Sequence, residues 1–273
     1  MNTLKAMVTH GQFLRIEKFA VKTPRGKRSP SNIYQVAYEA MRKPGFCDHI
    51  KYPTLPKVIF GIQPVDAALR AEAWALKQTA RVFHKPTNCI LVRKVRADSS
   101  CAAVGVLSVP PEWVADEQWV RFRESSVDWL MRKFHQDRLL SVVEHTDEHC
   151  LHLHFWVVPK MGERFSSVHQ GVKALEDVGI KASRAVREAA YRKAMATLQD
   201  EFHEEVGQFF GLERLTLGRR RLTREQWHQK CFYEKEREIA TQKRIDAAVA
   251  RAVSGLESHD SEDSANLPVP STN

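Results

Sequence analysis

The stretch Val142–Lys160, VVEHTDEHCLHLHFWVVPK, sets four histidines and three acidic residues among apolar and β-branched ones. A strand sends successive side chains to opposite faces, so His152 and His154 share one face of the segment Leu151–Pro159. Leu151, Leu153, Phe155 and Val157 share the other, which predicts a polar face and a core face. The preceding run LLSVVEH (Leu139–His145) reads as a second strand, joined to the first by the short polar turn TDEHC. Pairing the two across that turn brings His145 beside His152 and His154. Three imidazoles then converge on one point of a β-hairpin.

Outward from the hairpin, strands and helices interleave without a βαβ rhythm. QFLRIEKFAVK (Gln12–Lys22) alternates as a half-buried strand, and the loop TPRGKRSPS after it is basic. Ser31 is a candidate N-cap for a helix NIYQVAYEAMRK that stops before Pro44-Gly45. On that helix Tyr34, Tyr38 and Arg42 are spaced four apart and share a face. LPKVIFG is a short strand, VDAALRAEAWALKQTARVF a long helix, and NCILVRKVRA another strand. A turn-rich segment SVPPEWVADEQW leads into the helix VRFRESSVDWLMRKFH before the hairpin. A long helix from Ser183 to Phe210, stopped by Gly211, follows it.

This pattern predicts an α+β fold: a central, mainly antiparallel β-sheet flanked by helices, with a C-terminal helical extension. Residues 1–222 form the main domain. Thr223 and Gln226 make a capping box for a last helix over 223–256, and the polar tail 257–273 is expected to be disordered.

Composition narrows the function classes. No apolar run approaches the length that crosses a bilayer, and the N-terminus lacks the pattern of a secretory signal, so a cytoplasmic protein is expected. The five cysteines form no C-x-x-C pair, which argues against a disulfide framework or a thiolate zinc knuckle. A net charge of +9 favours polyanionic partners, nucleic acid first among them, but a solvated basic surface accounts equally well for charge alone.

The histidines supply the second signal. Three imidazoles leave coordination positions open on a transition metal, the arrangement of a catalytic rather than a closed site. Asp147 and Glu148 in the turn are placed to orient an imidazole or to add a ligand. A single histidine on an amphipathic strand reads as a hydrogen-bonded surface residue; three in this register, beside two acids, favour metal.

The pattern H-x-D-E-x-x-x-H-x-H followed by V-V-P, carried by His145, Asp147, Glu148, His152, His154 and Pro159, resembles the metal motif of the Mob/Pre (MobV) plasmid mobilisation and recombination relaxases. The flanks SVPPEW and GLERLTLGRRR are similar to that family's segments around the motif. The resemblance implies the HUH endonuclease fold and a relaxase that nicks single-stranded plasmid origin DNA, keeping the 5′ phosphate covalently on the enzyme. It further implies a divalent ion, manganese or magnesium, held by His145, His152 and His154, with Glu148 in support.

The family's N-terminal H-N-x-R motif, which supplies a histidine nucleophile, is met here only by YEAMR. Arg42 fits the arginine and is expected to clamp phosphate, but Glu39 stands at the histidine position. Tyr38, Glu39 and His49 are therefore all candidate nucleophiles. Tyr38 leads because phenolate serves other HUH enzymes. Arg25, Lys27, Arg28, Arg219, Arg220 and Arg221 are expected DNA-backbone contacts. The C-terminal helix is a candidate surface for a homodimer or an accessory protein.

Two other readings compete. HLHFWVVP looks like part of the histidine-triad motif of nucleotide hydrolases and transferases, although Cys150 breaks that triad. The missing H-N-x-R histidine also fits a relaxase-like DNA-binding protein without strand transfer.

Overall fold

β8 (His152–Val157) lies at the centre of a five-stranded antiparallel sheet. The strand order is β2 (Phe13–Ala20), β6 (Ser100–Ser108), β8, β7 (Leu139–His145), β3 (Lys57–Gly61). The computed structural model describes residues 10–24, 32–179 and 181–214, and, further on, residues 229, 232–233, 236–237, 239–247 and 249–250. The chain divides into units 1–216 and 217–273. In the second, every described residue is helical; the expected cap at Thr223 and the tail 257–273 lie outside the described residues.

The alternation in β8 holds on one face. Leu151, Leu153, Phe155 and Val157 enter a core with Phe122, Trp129 and Leu130 of α3 (Glu117–Phe134) and Leu198 and Phe202 of α5 (Arg184–Glu205). The other face was expected to be polar, and it is buried too. Val104, Val143 and Trp156 pack there beneath α1 (Ile33–Ala40) and α2 (Pro64–Lys77), whose contact residues include Ala37, Ala40, Ala67, Ala68, Ala71 and Ala75. Alanine faces let two helices approach the sheet closely, so the histidine side becomes a second core.

Several element boundaries differ from the sequence reading. Asn32 caps α1, its side chain accepting from the Tyr34 and Gln35 amides, while Ser31 lies outside the described residues. The helix ends at Ala40. Arg42 stands two residues beyond it at φ 54°, so it does not continue the Tyr34–Tyr38 face. The long helix expected over Val65–Phe83 stops at Lys77, because Gln78 is extended and Thr79–His84 forms β4, paired antiparallel with β5 (Cys89–Lys94). Cross-strand bonding to a β-branched partner outweighs the weak helical preference of so short a continuation. The helix expected to reach Phe210 ends at Glu205; a 3-10 turn over Gly207–Phe210 follows, and Gly211 at φ 68° stops it. Short β1 (His10–Gly11) and β9 (Leu212–Glu213) pair in parallel beside it.

β6 has no counterpart in the sequence reading. Its sequence SCAAVGVLS is small and buried on both faces, so it carries no period-two pattern. Gly105 pairs with Phe155, and a Cβ there would stand 2.1 Å from the Phe155 ring and 2.7 Å from the Arg15 carbonyl. Gly105→Ala is therefore expected to cost about 3 kcal/mol of unfolding free energy in urea titration. A cost near zero would mean that the strands part more easily than this packing allows.

His169 caps α4 (Gln170–Asp177), its Nδ1 accepting the Val172 amide at 3.3 Å. Burial, with the Lys18 charge adding to it, lowers its pKa to about 4. In the unfolded chain it titrates near 6.5, so its neutral form contributes fully above that pH. Stability is lost as pH falls from 6.5 through 4, by about 3 kcal/mol from this residue. Unfolding free energies at pH 7 and pH 4 for the protein and for His169→Asn check this: their difference should shrink by that amount, and a constant difference would contradict it.

Candidate metal centre

His145 closes β7 and His152 opens β8, and the two are direct cross-strand partners; His154 pairs with Val143 one step along the same face. This register places the ring centroids 4.9, 4.9 and 5.1 Å apart. One ring nitrogen from each lies within 4.8 Å of the other two.

The outer nitrogens explain the orientation of two rings. His145 Nε2 donates to the Ala40 carbonyl at the end of α1 at 2.8 Å, and His152 Nδ1 donates to the Cys150 carbonyl at 2.9 Å. A ring that donates through one nitrogen presents a lone pair at the other. His145 Nδ1 and His152 Nε2 then face each other at 3.0 Å. His154 Nδ1 is buried and has no hydrogen-bond partner.

All three histidines are neutral near pH 7. Burial, then the Arg42 and His152 charges, lowers His145 to about 3. Burial lowers His152, with the Glu148 carboxylate partly offsetting it, and burial holds His154 well below its ordinary value. Three converging neutral imidazoles form a donor set that suits a divalent cation, and a buried nitrogen without a partner fits the same reading.

The acids of the turn do not hold the outer nitrogens, as one expectation had it. Backbone carbonyls do that, and no side-chain pattern signals them. Asp147 instead accepts Arg42 Nε at 3.0 Å, Arg42 Nη2 at 2.7 Å and the Thr54 amide at 3.0 Å. Glu148 accepts Arg42 Nη2 at 2.8 Å and lies 3.6 Å from His152 Nε2, on the side where the imidazoles converge.

Arg42 itself was expected to clamp phosphate. Its side chain is 3 % exposed, and its guanidinium is spent on Asp147, Glu148 and the Glu39 carbonyl, so it braces the carboxylates beneath the site. Burial opposes its charge, but the two carboxylates outweigh that and raise its pKa. For Asp147 burial likewise acts against ionisation, and the Arg42 and Thr54 bonds win, lowering its pKa.

The nucleophile candidates sit at the same end of α1. Tyr38 packs edge-on against Phe46 at 5.1 Å, with the Lys43 ammonium 4.4 Å from its ring centroid. His49 Nε2 lies 3.9 Å from a Glu39 carboxylate oxygen. Arg25, Lys27, Arg28, Arg219, Arg220 and Arg221 lie outside the described residues.

A match to the family described as "Mob_Pre: Plasmid recombination enzyme" spans residues 82–234, more than half of the chain, and takes in His145, Glu148, His152 and His154. The chain belongs to the Mob_Pre family. Among solved structures it is similar to the MobM relaxase domain (MOBV; Mob_Pre) bound to plasmid pMV158 oriT DNA of 22 nucleotides, in a manganese-bound crystal structure at pH 4.6. That likeness has 13% identity and a TM-score of 0.51 and covers 80% of this chain and 99% of the other. A manganese-bound structure of the same domain with a 23-nucleotide strand at pH 6.5 gives 13% identity and a TM-score of 0.50, over 81% of this chain and 97% of the other. At such identities the likeness concerns the fold alone. No curated protein sequence matches the chain.

Proposed function

We propose that this chain is a metal-dependent relaxase that nicks single-stranded origin DNA of a plasmid and keeps the 5′ phosphate on one of its own side chains. The observation that carries the reading is the convergence of His145, His152 and His154 on a family-matched hairpin. The similar MobM domain was crystallised with manganese and oriT DNA, which agrees with manganese or magnesium and plasmid DNA as ligands here. His145, His152 and His154 would hold the cation, and Glu148 is placed to approach it. A divalent ion in such a site withdraws charge from a non-bridging phosphate oxygen and orients the scissile bond.

For the nucleophile we favour His49. Glu39 occupies the position where the motif resembled here carries its histidine, and His49 lies 3.9 Å from the Glu39 carboxylate. An imidazole from the following loop thus stands beside the place where the helix no longer supplies one. Glu39 orients that ring and balances the positive charge that grows on it as its nitrogen bonds to phosphorus. The P–O3′ bond breaks, and the departing oxygen takes up a proton to leave a free 3′ hydroxyl. Tyr38, held between Phe46 and Lys43, is given a packing role.

The test is peptide mapping of the covalent adduct formed with manganese and a labelled single strand carrying the plasmid's origin. The adduct is expected on His49, absent from His49→Ala and retained by Tyr38→Phe. An adduct on Tyr38 or Glu39 would overturn this assignment, and DNA binding without any adduct would favour a relative that has lost strand transfer.

A further inference from the structure

Cross-strand partners share a face of a sheet, so the pairing register extends the histidine face beyond β8. Along one row His145, His152, Ser108 and Phe13 are successive partners; along the next they are Val143, His154, Val106 and Arg15. Leu14 and Ile16 of β2 turn the other way, into the core that holds Phe122. Toward β2 the histidine face is uncovered at this end. Phe13 is 48 % exposed and the Arg15 side chain 53 %, while Val106 and Ser108 are half-buried. A shelf two strand spacings wide, about 10 Å, therefore leads from the imidazoles to an aromatic ring and a guanidinium on the edge strand.

A single exposed aromatic residue is ordinary on a protein surface. Two observations set Phe13 apart. Its neighbour on the same face is an arginine, paired only with the exposed Glu17 among the described residues. Both stand in register with histidines that, on the relaxase reading, face a phosphate. An aromatic face beside a guanidinium matches the two repeating parts of a single nucleic-acid strand, a flat base and an anionic phosphate. In a duplex the base faces are covered by their neighbours, so only an unpaired strand can use the ring. At about 3.4 Å per nucleotide of stacked strand, the shelf spans about three nucleotides, and fewer of a stretched one.

We propose that Phe13 stacks on the base of one nucleotide within about three of the scissile phosphate and that Arg15 holds a phosphate next to it, so that the strand crosses β6 and β2 as it leaves the histidines. The choice of strand rests on the relaxase reading. Stacking accepts any base, so the shelf sets the position and the unpaired state of that nucleotide and leaves its identity free.

The test measures binding of the full chain, in chelator, to a labelled single strand carrying the plasmid's origin and to versions with one abasic nucleotide at each position around the scissile phosphate. Phe13→Ala should weaken binding of the intact strand about tenfold or more. Phe13→Leu, apolar but not flat, should do the same, and Phe13→Trp should restore binding. The gap between Phe13→Ala and the unmodified protein should close at one abasic position and persist at all others. Arg15→Ala should make the log–log salt slope shallower by about 0.7, with the slope of Phe13→Ala unchanged. All the altered side chains are exposed, and a thermal melt checks that the fold is kept. Binding unaffected by Phe13→Ala, full binding by Phe13→Leu, or a gap that stays constant at every abasic position would overturn the proposal. Manganese-dependent nicking by the unmodified protein is read separately. A position-specific gap without any nick removes the relaxase reading and keeps the shelf; a nick with no position-specific gap does the reverse.

Discussion

His152→Ala lowers manganese-dependent strand cleavage by about a thousandfold or more, the several kcal/mol that charge neutralisation at a phosphate supplies. The residue is singled out because its two nitrogens do different work. Nδ1 fixes the ring on the Cys150 carbonyl, and Nε2 faces His145 Nδ1 at 3.0 Å. Alanine removes one of the three converging imidazoles and leaves only two nitrogens on that point of the hairpin. Metal affinity, read by calorimetry with manganese, should fall together with cleavage. The strand hydrogen bonds to β6 and β7 are unaffected, and a thermal melt distinguishes a lost ligand from a lost fold. Cleavage within a few-fold of the unmodified protein would remove the histidine cluster from the mechanism.

Arg42→Ala lowers the unfolding free energy by about 3–5 kcal/mol, because it strands a buried carboxylate. Asp147 is 1 % exposed in its side chain and takes two hydrogen bonds from that guanidinium. Arg42→Lys should recover only part of the loss, since an ammonium cannot reproduce the planar two-point pairing. The same arginine holds Glu148 beside His152, so manganese affinity should fall in both variants. Urea titration and calorimetry check the two effects. A loss below 1 kcal/mol would show that Asp147 finds water or another donor when the arginine is gone.

The histidine hairpin was legible because β7 and β8 are adjacent in sequence and periodic, which fixes their register and hence the meeting of the three rings. Its surroundings were less so. The face read as polar is a second core, because the alanine pattern of α2 reveals a small-residue contact surface but not which side of the sheet receives it. β6 escaped notice since burial on both faces erases alternation and its alanines and glycine carry little β preference. β4 was hidden inside an apparently continuous helix, and only its pairing with β5 reveals it.

At the site, the residue types were readable and their jobs were not. Arg42 and Asp147 are 105 positions apart, and nothing local in YEAMR marks its arginine as a brace for the turn after β7. The same holds for Glu39 and His49, whose proximity depends on how the chain turns after α1.

If the three histidines form a metal centre that cuts DNA, cleavage depends on the ion they hold. That dependence is met most directly by incubating the full chain with a labelled single strand carrying its plasmid's origin, in chelator and then across a manganese titration, and resolving the products on a denaturing gel. No cleavage is expected in chelator, and a site-specific nick is expected whose yield rises with manganese and saturates as one ion binds per chain. Equal cleavage in chelator, or saturated manganese binding at His145, His152 and His154 with the strand left intact, would contradict that dependence.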